Sequence, residues 1–302
     1  MSETSQQTHH RVCHLCEAMC GLIIRTEGST VVDIRGDRND PLSRGHVCPK
    51  AVALKDIHED PDRLRKPMRR VRTAPGEYRH VEIEWPEALD LAAEALASTI
   101  QRHGVDAVGA YFGNPSVHNY GMLTHQRNLF RHIRTRNRFS ATSVDQLPHH
   151  LVSLWCFGHM LLSPIPDVDR TDYFLMLGAN PLASNGSIWT VPDVRKRLKD
   201  LKARGGKIVV VDPRRTETAA IASEHLFIRP GTDAAFLLAI IHTLFRDKLV
   251  APGRLADFTD GLDEVRDAVR DLSPEWAEPL TGIGAVDTVR IAHDLAGADA
   301  GI

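Results

Sequence analysis

Apolar and polar residues alternate in two different ways along this chain. Residues 20–35, CGLIIRTEGSTVVDIR, alternate with a period of two around Gly28 and Ser29, which predicts a short β-hairpin. From Trp85 onward the apolar residues recur every three or four positions, which predicts a helix. Its apolar face comprises Trp85, Leu89, Ala92, Leu96 and Ile100. A β-rich N-terminal module is therefore followed by a part of different architecture.

Short apolar runs and amphipathic stretches then follow one another to the end of the chain. The stretch DAVGAYFGNPS predicts a buried strand that ends in a glycine turn. The later elements are predicted as strand Tyr173 to Leu177, helix Asp193 to Ala203, strand Ile208 to Val211, strand His225 to Ile228 and helix Asp233 to Phe245. After Leu249 the pattern is mostly helical. Apolar strands separated by helices are typical of a parallel, doubly wound sheet.

Charge and length narrow the possible functions. The 302 residues are enough for two or three domains, and the formal net charge is −2. Nucleic acids and anionic membranes select basic surfaces, so we expect no nucleic-acid partner. No apolar run approaches the roughly 20 residues that span a bilayer, so we expect no membrane insertion. The polar start has neither an apolar signal core nor a twin-arginine pair, which predicts a cytoplasmic location.

Four of the five cysteines have the spacing of an iron–sulfur site. Cys13, Cys16 and Cys20 form a C-x2-C-x3-C loop, and Cys48 follows after 27 further residues, with Pro49 behind it. A cubane cluster needs four thiolates that converge on a compact object, and three close cysteines plus a distant fourth supply them. A tetrahedral zinc site is the alternative, although zinc more often uses two separated CxxC pairs. The spacing favours a [4Fe-4S] cluster over zinc.

Lys50 lies two residues beyond the last of these cysteines. A cation beside a cluster shifts its potential and can bridge it to a neighbouring cofactor by a hydrogen bond. Without that context, Lys50 would be interpreted as an ordinary solvated surface lysine.

Polar and glycine residues follow three of the predicted strands. The segments are Gly178-Ala179-Asn180-Pro181, Asp212-Pro213-Arg214-Arg215 and Pro230-Gly231-Thr232-Asp233. An open parallel sheet binds ligands at the carboxyl ends of its strands, so these loops together predict a site for one extended, nucleotide-like ligand. Asp212 could accept hydrogen bonds from ribose hydroxyls or a guanine edge, and Arg214 could pair with phosphate. Ser184, Ser187 and Thr232 could contact a diphosphate, or could simply cap helices.

The glycine fingerprint of NAD sites, GxGxxG, is absent from the sequence. The nearest fragment, Gly282-Ile283-Gly284, does not follow a predicted strand and is interpreted as a turn. We therefore do not expect NAD as the ligand.

These segments together resemble the N-terminal half of the molybdopterin guanine dinucleotide oxidoreductases, the family of formate dehydrogenases and periplasmic-type nitrate reductases. The resemblance runs from Cys13 to about Ala296, and it is carried by CHLCEAMCG, RGHVCPK, the GANP turn, VDPRRTETA and RPGTDAA, in that order. It implies two-electron redox chemistry at a molybdenum or tungsten centre held by two pterins. Electrons would leave that centre through a [4Fe-4S] cluster.

The resemblance also implies roles for individual residues. Lys50 matches the lysine that lies between cluster and pterin in the family. The family's cluster ligands are matched by Cys13, Cys16, Cys20 and Cys48. The segments that contact one of the two molybdopterin guanine dinucleotides are matched at Gly178, Asn180, Asp212, Arg214, Gly231 and Asp233.

The predicted fold class is α/β, with a small N-terminal iron–sulfur β module followed by doubly wound, mostly parallel α/β domains. The basic segment Arg63 to Arg72 is interpreted as the linker that leaves the module. The predicted divisions are 1–64 for the four-iron four-sulfur module, 65–140 for the first part of an incomplete α/β domain, 141–250 for the α/β domain that binds the pterin dinucleotide, and 251–302 for a helical segment that leads back to the incomplete domain.

The chain departs from the family at two places. The motif after Cys48 usually reads Pro-Lys-Gly, whereas position 51 is Ala51. The segment SVDQLPHHLVSLWCFGHM lies where the family presents its protein ligand to the metal, often cysteine or selenocysteine followed by histidine, and it does not match that pattern. Cys156 is either this ligand or a buried structural thiol. His149 and His150 are either groups near the substrate or a polar helix end, and formate as the substrate is not supported.

Family chains are considerably longer than this one. We therefore expect a fragment, a truncated gene product or one part of a split enzyme, and this chain alone could be inactive. The expected partners are a small-molecule substrate and a redox carrier or electron-transfer subunit. A non-catalytic electron-transfer subunit that has lost pterin chemistry is the alternative, but the VDPRRTET and PGTD segments favour the pterin enzyme. An inactive remnant of a longer gene is a third interpretation.

Overall fold

Two units make up the chain in a computed structural model that describes residues 5–113, 115–186 and 189–302. The first unit ends at Pro164, and the second runs from Ile165 to Ile302. The four finer divisions expected from the sequence stay predictions.

A three-stranded antiparallel sheet opens the first unit. Its strands are β1 Gln6–Val12, β2 Gly21–Glu27 and β3 Thr30–Gly36, in the order β1-β2-β3. The predicted hairpin is confirmed, because β2 and β3 pair across the turn that holds Gly28, whose φ is +61°. The sequence did not predict β1. Its seven residues are almost all exposed, so it shows no apolar alternation, and it forms by pairing along the whole of β2.

Two short helices, α1 Pro49–Val52 and α2 Leu54–Glu59, pack on one face of this sheet. The small core between them holds Leu22 and Ile34 from the sheet and Ala51 from α1. It also holds the side chains of Cys13 and Cys20, while Cys16 and Cys48 pack against it. This N-terminal part is therefore organised around its cysteines.

The remainder of the first unit is less extensively buried. Its elements are β4 Met68–Ala74, β5 Glu77–Glu82, α3 Trp85–His103, β6 Ala110–Phe112, α4 Pro115–His118, α5 Tyr120–Ile133, β7 Arg138–Ser140 and α6 Leu147–Phe157. Strands β6 and β7 pair in parallel over three residues each. The interpretation of Arg63 to Arg72 as a linker is wrong from Met68 onward, where β4 forms an antiparallel hairpin with β5. The sequence of β4, MRRVRTA, is basic and does not alternate between apolar and polar residues, so the strand was not predicted.

Helix α3 confirms the helix predicted from Trp85. The predicted apolar face is nevertheless not buried along its first half, since Trp85 is 61% and Leu89 is 63% exposed. Among the helices that the structure describes, none has both the length and the apolar character to cross a bilayer.

A three-stranded parallel sheet forms the centre of the second unit. Its strands, in the order β10-β9-β8, are β8 Tyr173–Leu177, β9 Lys207–Val211 and β10 Glu224–Leu226. The helices are α7 Pro181–Ser184, α8 Val194–Ala203, α9 Glu217–Ile221, α10 Asp233–Arg246, α11 Leu262–Ala268, α12 Pro274–Thr281 and α13 Ala285–Gly297. All five strands and helices predicted between Tyr173 and Phe245 are present, with small shifts at their ends. Gly282 and Gly284 lie in the turn between α12 and α13, as predicted.

Apolar residues of the parallel sheet feed two cores, one on each face. Phe174, Ile208 and Val210 pack with α8 residues such as Leu198. The alternate residues, including Val209 and Val211, pack with α10 and α13. The sheet is thus covered by helices on both sides, and the predicted doubly wound α/β fold class is confirmed.

Charged groups join the strands at the end where they begin. Lys207, the first residue of β9, lies 3.2 Å from Glu224, the first residue of β10, and 2.9 Å from Asp294 of α13. Both oxygens of Glu224 also accept from the guanidinium of Arg290. Charge-assisted bonds of this bidentate kind are the stronger ones, so they fix α13 to the amino-terminal edge of the sheet.

Candidate functional site

The loop from Cys13 to Cys20 connects β1 to β2. The amide of Cys13 donates to the carbonyl of Cys20 over 2.8 Å, which closes the loop at its base. Val12 and Gly21 form the last pair of the two strands, so the antiparallel register brings the ends of the loop together. Met19 adopts a left-handed φ of +51° inside it. Three cysteines are thereby held on one tight turn.

Cys48 returns to this loop through the turn-rich segment after β3. The Gly21 amide donates to Oγ of Ser43, and the Asp37 amide donates to the Gly21 carbonyl, so the segment is tied to the start of β2. Asp40 in turn accepts from both the amide and the hydroxyl of Ser43, which holds the pKa of that carboxyl below its usual range. The chain then reaches Cys48, which precedes the first turn of α1.

The four thiols share one electrostatic environment. All are free, and those of Cys13 and Cys20 are buried. Burial raises the pKa of Cys20 to about 11, with further contributions from the charges of Cys13, Cys16 and Cys48. The pKa of Cys13 is raised by burial and by Cys16 and Cys48. Each thiol therefore lies close enough to the others that four thiolates would repel one another without a cation between them.

This donor set matches the ligands that a [4Fe-4S] cluster requires. Within the described residues, no group of three or more His, Cys, Asp or Glu side chains could hold one metal ion. Four sulfurs around zinc would each lie about 2.3 Å from the metal. A cubane is larger, because it has four irons and each takes one thiolate. Four free thiols around one small core therefore match the four irons of a cubane.

Lys50 is the second residue of α1 and is exposed. Its ammonium group makes no hydrogen bond or ion pair with any residue that the structure describes. The sequence departure at position 51 has a local explanation: Ala51 is 1% exposed, and its methyl group fills the small core beside the cysteines.

The three predicted ligand loops leave the same edge of the parallel sheet. Leu177 pairs with Val211, and Val211 with Leu226, so these strands end side by side. Gly178 follows β8 with φ +61°, and Gly231 precedes α10 with φ +81°. A side chain built at either glycine would meet nothing within 4 Å, so both leave open space at this edge.

Asp212 is the buried acid of this edge, with 7% of its surface exposed. Its Oδ1 accepts the Arg214 amide over 2.7 Å, while the Arg214 side chain is exposed. The Asp212 carbonyl contacts Nε2 of His225 at 3.0 Å, and the His225 ring lies 4.4 Å from the ring of Phe227. Sequence reasoning missed His225 and Phe227, although they occupy alternate positions as β10 ends.

Asn180 is held by neighbours that the sequence did not indicate. Its Nδ2 donates to Glu217 over 2.8 Å, and its Oδ1 accepts from the hydroxyl of Thr218 over 2.7 Å. The bond from Asn180 lowers the pKa of Glu217. The side chain thus joins the loop after β8 to α9, and its amide is already engaged. The sequence signal for this contact was the polar pair Glu217 and Thr218 at the start of α9, together with an asparagine just after a strand.

The four remaining loop residues differ in their positions. Thr232 does not cap α10 with its side chain, because its hydroxyl donates to the Arg229 carbonyl. Asp233 is the first residue of α10 and is partly exposed. Ser184 ends α7 and is exposed, whereas Ser187 lies outside the described residues.

The predicted metal-ligand segment forms α6. Cys156 lies in its last turn and is exposed, so the alternative of a buried structural thiol is wrong. His149 is exposed and His150 partly exposed in the first turn. Neither imidazole has a hydrogen-bond or ion-pair partner in the parts of the chain that the structure describes, and the three side chains are not brought into one ligand group.

Two family descriptions match the sequence. "Molybdopterin oxidoreductase Fe4S4 domain" matches residues 6–59, and "Molybdopterin oxidoreductase" matches residues 63–278. The first range contains the four grouped cysteines, and the second contains the three strand-end loops.

Curated relatives have the same coverage. Formate dehydrogenase H of Escherichia coli is 29% identical over 93% of this chain and 39% of its own length. F420-dependent formate dehydrogenase 1 subunit alpha of Methanococcus maripaludis is 29% identical over 96% of this chain and 41% of its own length. Nitrate reductase of Symbiobacterium thermophilum is 28% identical, over 97% and 39%. The chain therefore spans about two fifths of the length of these relatives.

A solved structure has the same fold. Acetylene hydratase from Pelobacter acetylenicus gives a TM-score of 0.76 at 25% identity, covering 96% of this chain and 39% of that one. The predicted [4Fe-4S] and molybdopterin cofactors, with Mo or W, are those of the matched family. Because its description covers more than half of the sequence, this chain belongs to the molybdopterin oxidoreductase family.

Proposed function

We propose that Cys13, Cys16, Cys20 and Cys48 are the ligands of one [4Fe-4S] cluster. The observation that supports this most is the grouping of four free, mutually interacting thiols around one small apolar core. When bound, the cluster supplies a one-electron relay. The fold supplies the loop base at Cys20, the return of Cys48 and a partly dry environment that tunes the potential.

The parallel sheet edge is proposed as the site of a molybdopterin guanine dinucleotide. Gly178 and Gly231 leave room for close approach of a ligand, and Asp212 offers a buried carboxylate with one oxygen beyond its bond to the Arg214 amide. The Arg214 guanidinium is exposed and can pair with phosphate. Asn180 would act chiefly by fixing its loop to α9, and Asp233 by its place at the start of α10.

The proposed reaction is two-electron redox chemistry at a molybdenum or tungsten centre held by two pterins, in an enzyme similar to formate dehydrogenases. The metal supplies the chemistry, and the chain places its cofactors. Lys50 would lie between cluster and pterin, where its positive charge favours the reduced cluster. The partners would be a small-molecule substrate and a redox carrier or electron-transfer subunit.

Helix α6 is also part of the proposed active site. Cys156 is proposed as a candidate ligand to the pterin-bound metal, with His149 and His150 near the substrate, because this segment occupies the corresponding position of the family.

The cytoplasmic location predicted from the sequence stays a prediction, which cell fractionation with a specific antibody would check.

Anaerobic purification followed by metal analysis and electron paramagnetic resonance tests the cluster. We expect about four iron atoms per chain and a paramagnetic signal after reduction. Stoichiometric zinc in a folded, colourless preparation would contradict the assignment.

Extraction of the denatured protein tests the pterin site. Guanine dinucleotide pterin in the extract is expected, and its amount should fall in the Asp212→Ala variant while iron content is unchanged. A preparation with a full cluster and no pterin would support the alternative, a non-catalytic electron-transfer subunit.

A further inference from the structure

An apolar groove lies beside the cysteine core, between the sheet of β1 to β3 and helix α2. Its volume is about 370 Å³. Leu22 and Ile34 form its floor and belong to the same small core as Cys13 and Cys20. Val12 and Ile57 lie along its sides and are more than half exposed, at 59% and 54%. Apolar side chains are therefore left in contact with water close to the cysteines.

The charged side chains that line the groove are two arginines. They are Arg11 and Arg63, two histidines lie beside them, and no carboxylate belongs to the described lining. The guanidinium of Arg11 donates only to the His10 carbonyl, and that of Arg63 has no bonded partner within the described residues. An unpaired guanidinium at the rim can bind a carboxylate bidentately. The rim is thus complementary to an acidic surface.

The groove is also lined by residues that adjoin the cysteine loop in sequence. Val12 and His14 are the neighbours of Cys13 on either side. Leu22 is the second residue of β2 and lies two positions after Cys20. Leu54 of α2 packs against the same core. The lining of the groove and the cysteines therefore share one small core.

We propose that this groove is the docking surface of a small, acidic one-electron carrier protein. The inference rests on the proposed cluster, whose reduced form would lose one electron while the carrier's own centre gains it, with no proton or bond exchanged. An apolar centre with a charged rim is the usual anatomy of a protein interface. Opposite rim charges speed encounter and set orientation, which suits a partner that must dock and leave quickly.

The double variant Arg11→Glu/Arg63→Glu tests the surface. The cluster-loaded chain and the variant are titrated with an acidic [2Fe-2S] ferredoxin at low and high ionic strength, and electron transfer from the reduced chain is followed by stopped flow. We expect the variant to bind about tenfold more weakly or worse at low salt, with the difference shrinking at high salt. The electron-transfer rate at limiting ferredoxin should fall in parallel.

Arg35→Glu is the matched control. Arg35 is exposed on β3 and pairs with Ile23, so it lies on the sheet face opposite Leu22 and Ile34. It adds the same kind of charge change to the same small sheet, and we expect near wild-type binding. Iron content and the resonance signal should be equal in the three proteins.

Three results would overturn the docking surface. One is unchanged ferredoxin binding by the double variant. Another is equally tight binding of cytochrome c, a basic carrier of similar size. The third is a dimer of the wild-type chain in sedimentation that the double variant loses, which would make a second copy the occupant. Absence of iron from the wild-type chain would instead contradict the proposed function, so the two failures are distinguishable.

Discussion

Burial and ligation act in opposite directions on the cysteine side chains. The pKa of Cys20 is raised to about 11, because burial and the neighbouring thiolates disfavour its charge. At neutral pH the metal-free chain therefore keeps this thiol protonated, and binding iron must release the proton. The stabilisation of the folded module by iron should therefore increase as the pH rises towards the pKa of Cys20.

Variants of Cys20 and Cys156 distinguish a cysteine that binds the cluster from one that does not. We expect Cys20→Ser to lose most of the bound iron, since serine offers a poor fourth ligand, whereas Cys156→Ser should keep it. Iron per chain and the visible absorbance of the cluster measure both. Equal loss from the two variants would mean that the cysteines of the N-terminal loop are not the ligands.

Tyr173 and Thr171 are a matched pair of buried hydroxyls. The Tyr173 hydroxyl has no partner in the described residues, whereas that of Thr171 donates to two carbonyls. We expect Tyr173→Phe to leave the free energy of unfolding unchanged or raise it by about 1 kcal/mol, and Thr171→Val to lower it by about 1–2 kcal/mol. Urea denaturation measures both. A large loss in Tyr173→Phe would reveal a partner for its hydroxyl.

The individual site residues show what a sequence can predict. Cys13 to Cys48 carry their chemistry in their spacing, so their grouping could be predicted from the order of residues alone. The partners of Asn180 could not, because Glu217 and Thr218 lie almost forty positions away and are brought to it only by the pairing of β8 with β9. Lys50, His149 and His150 carry no such spacing, and their proposed roles depend on the family resemblance.

At the level of elements, burial decided which predictions succeeded. Strand β8 was predicted to the residue, since an uninterrupted apolar run is what a strand covered on both faces requires. Strands β1 and β4 were missed, because both are largely exposed and rich in polar or basic residues. Strands β1 and β4 form because they pair with β2 and β5, and the periodicity of a sequence does not indicate which strands pair.

Asp247 joins the end of α10 to α13. It accepts two bonds from Arg246 and one from His293, at 2.7 Å, and these hold the pKa of its carboxyl far below the usual range. A depressed carboxyl pKa adds stability above the ordinary value of about 4, and this contribution is lost progressively as the pH falls from there through the depressed pKa of the folded state. We therefore expect Asp247→Asn to lower the melting temperature at pH 7 and to lower it less at pH 3, where part of the contribution is already lost.

Asp260→Asn is the control for that measurement. Asp260 is exposed and has no hydrogen-bond or ion-pair partner among the described residues, so its loss should change the melting temperature little at either pH. If Asp247→Asn has an equal effect at both pH values, the carboxylate charge does not contribute to the stability of this helix pair.

For the whole molecule, the division into two units predicts how unfolding depends on iron. A ligand that binds only the native state stabilises the unit that holds it. We expect two calorimetric transitions, since separate cores need not unfold together. Removal of iron by a chelator under mild oxidation should lower the transition of the first unit and leave that of the second unchanged. A single transition that moves as a whole would contradict independent units.

Ion pairs join the strands of the parallel sheet at the edge where they begin, and the loops that contain Gly178 and Gly231 leave the edge where they end. Lys207, Glu224 and Arg290 secure the edge where the strands begin, so the conformations of the segments after Gly178 and Asp212 are not what keeps the strands in register. Those segments can therefore diverge, apart from Asn180, whose bonds to Glu217 and Thr218 join its loop to α9. Evolution, or an engineer, could exchange whole loops there to accommodate a different nucleotide tail while the folding of the scaffold is preserved.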